Sequence, residues 1–592
     1  MPQRSAADVM VERLEAWGVP RVFGYSGDGI NTFMGALRRA GTVDFVQARH
    51  EENAAFMAAG HAKYTGTVGV VTSTQGPGAI HLLNGLYDAK LDGAPVVALV
   101  GQQSRSVLGS GYMQEIDLAL LMRDVACYRQ QVDSAEALPM AMDRAFKAAL
   151  THRGPAVVIV PHDVQKLPAA ELEHEHGILV TSPQWRPSTA LPQAADLQAA
   201  ADVLNAGHRI ALLVGQGARG AAQQVEAVAE RLGAGIATSL LGKPFVDERL
   251  PYAAGTMGHL GTGASGKLLG NCDTLLIIGS KDPWTEFYPP PGSARAVQID
   301  ANPAAIGIRY PVEAGLAGDA APTLEALLPL LSGTPDAAWQ DRVGQWVEDW
   351  RGLSERRAMT PASPINPERV LHELSGRFPQ DARLAVDVGS CVYWYARQLV
   401  LPRGVQAHLS GTLASMGCSI PYALAAKLDR PAAPVIAVSG DGALQMAGLS
   451  ELITVARLWR QWADPRFVIC VLNNRELAEV TWEQREMEGE PRFDASQAIP
   501  EFDYAGYARL LGLEGMRVDD PEQVGPAWER ALAAERPFLL DFVTDPEVPL
   551  LPPFPAGKEK AEDMQEALGE EGGSGRHASR LLEQYVRQEE QG

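Results

Sequence analysis

Two short motifs in the last third of the chain carry oxygen ligands at a spacing that suits a hard cation. Gly440-Asp441-Gly442 closes one apolar run (PVIAVSGDG) and Asn473-Asn474 closes the next (FVICVLNN), so in a parallel sheet both fall on one edge. A carboxylate and a side-chain amide, completed by a backbone carbonyl, form the oxygen set that Mg²⁺ prefers, and Mg²⁺ holds a diphosphate through its oxygens. The flanking glycines let backbone N–H groups approach those oxygens closely. Taken alone, the first motif reads more plainly as a turn with an Asx cap. In the first third, Arg49-His50-Glu51-Glu52 opens a run of small residues, NAAFMAAGHA. A glutamate at the entrance of an apolar helix is partly desolvated, which favours its protonated form and lets it share a proton with a buried ring nitrogen. The competing reading is a pair of acids stabilising the positive end of the helix dipole.

Such motifs need a scaffold that gathers strand ends. The runs RVFGYSG, VGVVTST, PVVALVG and AVVIVP alternate with amphipathic stretches, a β-α alternation that implies a parallel sheet covered by helices over residues 1–165. A polar, Pro-punctuated stretch over 166–191 reads as a linker. A second unit over 190–335 has RIALLVGQG, DTLLIIGS and RAVQID as its clearest strands, and 333–365 is either a crossing helix or a second linker. The third unit, 363–548, has strands at LAVDVGS, PVIAVSGDG, FVICVLNN and PFLLDFVTD. Residues 549–592 form a charged tail with a GEEGGSG hinge, expected to lie outside the core.

The whole-chain numbers agree with three or four globular domains in 592 residues. Lys and Arg number 51 against 72 Asp and Glu, and a net charge of −21 repels phosphate backbones and anionic membranes, so nucleic acid is not an expected partner. The five cysteines are scattered without a CxxC spacing, which suits neither a disulfide framework nor a zinc site and fits the cytoplasm. No window approaches a membrane span, and the N-terminus lacks the apolar stretch of a secretory signal.

Four further marks make a resemblance specific: Thr72-Ser73-Thr74-Gln75-Gly76-Pro77-Gly78, Gly111-Tyr112-Met113-Gln114-Glu115, Asp387-Val388-Gly389-Ser390 and Ala414-Ser415-Met416-Gly417. With them the chain resembles the thiamine-diphosphate (ThDP) family that includes pyruvate oxidase, quinone-dependent pyruvate dehydrogenase and acetolactate synthase, in ordered matches over about residues 5 to 548. The resemblance implies an α/β fold of three doubly wound parallel-sheet domains, two flavodoxin-like ThDP-binding domains flanking a Rossmann-like central domain. It also implies a cofactor held between the first domain of one subunit and the third of another, hence a homodimer at least and a homotetramer by family habit. By resemblance, Glu51 activates the pyrimidine ring, Asp441, Asn474 and the carbonyl of Glu476 hold Mg²⁺, Met416 wedges the cofactor into a bent shape, and Gln114 points at the substrate. Gly76, Gly389, Ser390, Ser415, Gly440, Gly442 and Ala443 line the cofactor by the same carry-over. Two departures stand out: Met113 replaces the usual Phe, and the insertion-like LWRQWADPRF lengthens the interval between the metal motifs.

The central unit contains Val214-Gly215-Gln216-Gly217-Ala218-Arg219-Gly220, a GxGxxG match, yet the following strand GIATSLL leads into GKPF without the acid that a nicotinamide ribose needs. NAD is therefore disfavoured. Gly217, Gly258 and His259 in GTMGHLG, Asp282 in GSKDPWTEFYP, and Asp300 and Asn302 in QIDANPAAIG instead resemble the FAD-binding domain of pyruvate oxidases. Glu483 stands where pyruvate oxidases have Glu and acetolactate synthases Trp, whereas Glu479 replaces an aromatic residue of the oxidases; the two acids share one helical face and contact either substrate or solvent. The expectation is oxidative decarboxylation of pyruvate or a similar 2-oxo acid with FAD as acceptor. The alternatives are carboligation of two 2-oxo acids, non-oxidative decarboxylation, and a non-catalytic scaffold, which the presence of Glu51 and Asp441 argues against. A thin apolar stripe over 577–586 in acidic surroundings is unlike a basic membrane-docking helix.

Overall fold

The computed structural model describes residues 4–171, 176–332 and 336–591. The short segments 172–175, within the expected first linker, and 333–335, at the end of the expected central unit, lie outside them.

Three six-stranded sheets follow one another along the chain, and their strand pairs are parallel. The first holds β1 (Arg21–Gly24), β2 (Asp44–Gln47), β3 (Gly69–Ser73), β4 (Val96–Gln102), β5 (Tyr128–Gln131) and β6 (Pro155–Pro161) in the order 2-1-3-4-6-5. The second holds β7 (Ile210–Val214), β8 (Gly235–Thr238), β9 (Ala253–Thr256), β10 (Thr274–Ile278), β11 (Arg295–Asp300) and β12 (Ala314–Ala317) in the order 9-8-7-10-11-12. Counted from its own start this is 3-2-1-4-5-6, the order of dinucleotide-binding sheets. The third holds β13 (Arg383–Val386), β14 (Gln406–His408), β15 (Val435–Gly440), β16 (Phe467–Asn473), β17 (Glu514–Val518) and β18 (Phe538–Val543) in the order 14-13-15-16-18-17. That repeats the first sheet strand for strand, so the outer units are one topology used twice around a different centre.

The interior strands β4, β6 and β16 are buried at every residue because helices cover both sheet faces, which is why they read as unbroken apolar runs. The first and third units meet along two helices that are themselves buried nearly all round, Glu51–Thr65 and Ser419–Asp429. Small residues make the approach possible: a Cβ on Gly60 would meet Tyr422 at 2.9 Å. At the centre of this junction the buried Lys63 ammonium donates to Asp88 at 3.2 Å, Asp92 at 2.6 Å and the Leu409 carbonyl at 2.9 Å. Asp92 in turn accepts from the amides of Gly411 and Thr412, so one ion network fixes the loop that leads to Ser415 and Met416.

The polar stretch after the central unit forms the helix Ala337–Ala358, which packs on that unit through Trp339, Val343, Val347 and Leu353. The Trp339 indole donates to the Ile210 carbonyl at 3.0 Å. The tail corrects an expectation. Instead of lying outside the core, its helices Ala556–Glu570 and Arg576–Gln591 bury Met564, Leu568, Ala578, Leu581, Leu582 and Tyr585 in the apolar cluster of the third unit. Charged residues dominate its composition, but the apolar ones recur at helical spacing and find a partner surface. Among the described residues no helix is long and apolar enough to cross a membrane.

Candidate active site

In a doubly wound sheet, ligands bind outside the carboxyl ends of the strands, where the strand order reverses. In the third sheet that point lies between β13 and β15, and the chain places its polar motifs there. Asp387 follows β13. One of its oxygens accepts from the Gly417 amide at 2.7 Å and the other from the Ser419 hydroxyl at 2.6 Å, which ties the Ala414–Gly417 turn to the sheet. Gly389, with φ 125°, turns the chain into the helix Ser390–Gln398.

Asp441 follows β15 and is 2% exposed. Its oxygens accept from the amides of Gly442 at 2.9 Å and Arg475 at 2.5 Å, and no cationic side chain pairs with it among the described residues. Burial pushes its carboxyl up to about 7, the two amides opposing the shift. Gly440 pairs with Leu472 in the β15–β16 register, so Asn474 lies one step beyond the same edge. The Glu476 carboxylate is engaged elsewhere, by the Thr481 hydroxyl at 2.6 Å, with the Arg492 guanidinium at 3.3 Å. A buried acid, a side-chain amide oxygen and a backbone carbonyl are the hard-oxygen donor types that a divalent cation takes; the Asn474 amide oxygen accepts from the Glu476 amide at 3.0 Å, and Asp441 has no cationic partner among the described residues. Gly442 and Ala443 are buried behind Asp441.

Glu51 is the first residue of its helix, capped by His50, whose ring nitrogen accepts from the Glu52 amide at 3.2 Å. Its carboxylate lies 3.0 Å from the Nδ1 of His81, and the His50 and His81 rings lie against each other, tilted by 32°, with centroids 4.4 Å apart. Asn84 donates to Glu52 at 2.6 Å and to the Ser415 hydroxyl at 2.8 Å. His81 and Asn84 escaped the reading of sequence, since neither belongs to a motif; only their period on the helices after Gly76 places them beside Glu51. Among the described residues no hydrogen bond or ion pair joins Glu51 to Asp441, Asn474 or Glu476 within the chain.

Backbone strain marks the same motifs. Among the described residues four non-glycine residues have positive φ: Gln114 (63°), Arg153 (52°), Ala414 (56°) and Arg475 (59°). Arg153 ends a helix, and the other three sit in the YMQE, ASMG and NNRE motifs. Left-handed backbone costs a non-glycine residue about 1 kcal/mol or more, and such strain collects at functional sites. Gln114 is held by Gln75, whose amide donates to its side-chain oxygen at 3.0 Å, and by Gly76, where a Cβ would meet Gln114 at 2.9 Å. Met416 is half-buried on the Ala414–Gly417 turn.

In the central unit the crevice above β7 and β10 is closed by backbone. The Gly217 amide donates to the Gly279 carbonyl at 3.0 Å, and a Cβ on Gly217 would meet Gly279 at 2.7 Å. Gly258, with φ 91°, lies against Trp284, and His259 contacts the Trp284 and Phe287 rings and the Glu286 carboxylate at 2.8 Å. Burial pushes the Asp282 carboxyl up to about 6. Asp300 ends β11 and accepts from the Asn302 amide at 2.8 Å, and Asn302 caps the next turn. Glu479 and Glu483 lie on the helix Ala478–Glu483.

Comparison with known proteins matches part of each of the three units to thiamine pyrophosphate enzymes. The N-terminal TPP binding domain matches residues 4–121, the central domain 197–327 and the C-terminal TPP binding domain 387–542. The thiamine pyrophosphate-containing protein YdaP of Bacillus subtilis is 35% identical over 93% of either chain. Acetolactate synthase isozyme 2 large subunit of Escherichia coli is 32% identical over 95% of this chain and 99% of its own. Pyruvate oxidase of Lactiplantibacillus plantarum is 29% identical over 92% of this chain and 89% of its own. With the two like outer folds, the polar edge at Asp441 and these full-length matches together, the chain belongs to the thiamine pyrophosphate enzyme family.

Proposed function

We propose that this protein is a ThDP- and Mg²⁺-dependent enzyme that oxidatively decarboxylates pyruvate or a similar 2-oxo acid, with FAD as electron acceptor. The observation that carries this reading is the buried Asp441 without a cation, at the carboxyl edge where β15 and β16 end together. ThDP, when bound, supplies a nucleophilic carbon for the 2-oxo group and a sink for the electron pair left as CO₂ departs. Asp441, Asn474 and the Glu476 carbonyl hold the Mg²⁺ that anchors the diphosphate. Glu51, steadied by His81, holds a proton at the pyrimidine nitrogen, and Gln114 donates to the substrate. Met416 and Ser415 shape the cofactor seat between Gly389, Ser390 and the Gly440–Ala443 turn. A flavin, when bound, supplies two-electron oxidation; Gly258, His259, Asp282, Asp300 and Asn302 would hold it, in loops outside the closed crevice.

Pairing of subunits completes the site in this reading. Exposed apolar side chains flank both halves, Ile80, Tyr112 and Met113 on the first unit and Met446, Val480 and Met487 on the third, which supports burial against a second copy. The acetolactate synthase relatives favour carboligation as a second reading. Mixing the purified protein with pyruvate under anaerobic conditions separates the two. Bleaching of a flavin spectrum supports oxidation, whereas turnover to a carboligation product without net bleaching overturns it in favour of the second reading.

A further inference from the structure

Three acids on one helical face line the carboxyl edge of the third sheet, and only one of them is neutralised. Glu479, Glu483 and Glu486 recur at four and three residues on the continuous turns Ala478–Glu483 and Gln484–Glu488. Glu486 is met by the Lys560 ammonium from the tail, which also lies 3.2 Å from the Nδ1 of His259. Among the described residues no hydrogen bond or ion pair reaches Glu479 or Glu483, and the Lys560 charge only partly offsets the burial and the Glu486 charge that raise the Glu483 carboxyl. What faces them is the helix Ser390–Gln398, through the buried Cys391 thiol and Tyr393 ring, one turn beyond Gly389 and Ser390. Burial, then the Glu483 charge, pushes the Glu479 carboxyl up to about 7.

Several acids buried elsewhere in the chain are paired with a cation. Lys243 pairs with Glu248, Lys63 with Asp88 and Asp92, and Arg485 with Glu571. An acid pair left without donors in a partly desolvated wall costs stability unless something else donates to it. Resting on the function proposed above, we infer that Glu479 and Glu483 form the wall that meets the substrate's side chain and select 2-oxo acids bearing a hydroxyl on the carbon beside the ketone over those bearing a methyl in the same place. A hydroxyl donates to a carboxylate, whereas a methyl of equal size leaves the pair unsatisfied. Sites built to hydrogen-bond a substrate hydroxyl discriminate strongly against the analogue that lacks it.

The test compares two near-isosteres, 3-hydroxypyruvate and 2-oxobutyrate, with pyruvate as reference, by thiamine-dependent CO₂ release from the holoenzyme, Glu479→Gln and Glu479→Leu. The wild type is expected to favour 3-hydroxypyruvate over 2-oxobutyrate about tenfold or more in kcat/KM, a modest share of what such sites reach. Glu479→Leu should abolish or invert that ratio while 2-oxobutyrate turnover persists, and Glu479→Gln, which still accepts a hydrogen bond, should keep part of it. Equal use of the isosteres by the wild type, or an unchanged ratio in Glu479→Leu, overturns the inference alone. No thiamine-dependent CO₂ from any of the three acids overturns the underlying function and the inference with it.

Discussion

Glu51 occupies the first position of a helix, where its charge is welcomed by the dipole and its carboxylate touches His81. Glutamine keeps the size and polarity of the side chain, so Glu51→Gln should fold and still bind ThDP while losing about 10²-fold or more in turnover, the scale of general acid–base contributions. Near-normal turnover of that variant would remove Glu51 from the chemistry. Asp441 makes a prediction in pH. Its folded carboxyl titrates at about 7, above the ordinary range near 4, so between those values the folded chain keeps a proton that the unfolded chain has released. Stability from this group is therefore lost as pH rises through that window, and Mg²⁺, which replaces the proton, should bind more tightly at pH 8 than at pH 6. The rise in Tm on adding Mg²⁺ with ThDP measures this: it should grow over that interval and vanish in Asp441→Asn. A rise that is independent of pH would separate the metal from Asp441.

At the scale of elements, the strained turns and the tail decide how firmly the site is held. Gly417 has φ 94°, and a Cβ there would meet the Ala447 Cβ at 2.6 Å, so Gly417→Ala should cost roughly 2 kcal/mol or more and loosen the Met416 turn. The helix Arg576–Gln591 buries Tyr585 at 1% exposure, where its hydroxyl accepts from Asn366 at 3.1 Å. Tyr585→Ala should cost about 3 kcal/mol in chemical denaturation, as large-to-small changes in cores do. Unchanged stability would return the tail to the status of an appendage. Reading the tail from composition failed because charge content reports on the solvent face of a helix, while burial follows the spacing of the few apolar residues.

For the whole molecule, the proposed site takes its acid from one subunit and its metal cradle from another. Glu51→Gln and Asp441→Asn proteins, each inactive, should regain activity when unfolded and refolded together. Random pairing gives half heterodimers with one intact site each, so about a quarter of wild-type activity is expected. No recovery would place both residues in sites closed within single chains. The junction of the outer units, with Lys63 between Asp88 and Asp92, is what keeps the two half-sites at a fixed distance inside each chain.

Much of this was written in the sequence. The interior strands β1, β3, β4 and β6, and likewise β13, β15, β16 and β18, are apolar runs because both faces are covered, and the polar motifs at their ends announced the sheet edge beyond which Asp441 and Asn474 lie. The edge strands β2, β5, β9, β12, β14 and β17 carried no such run, since an edge strand is short and often half-exposed. His81 beside Glu51, Asn84 between Glu52 and Ser415, and Lys560 on Glu486 were decided by tertiary structure alone. Local sequence sets which groups end a strand or cap a helix. Which distant groups they meet depends on how helices cross and sheets stack, and that is fixed only when the whole core packs.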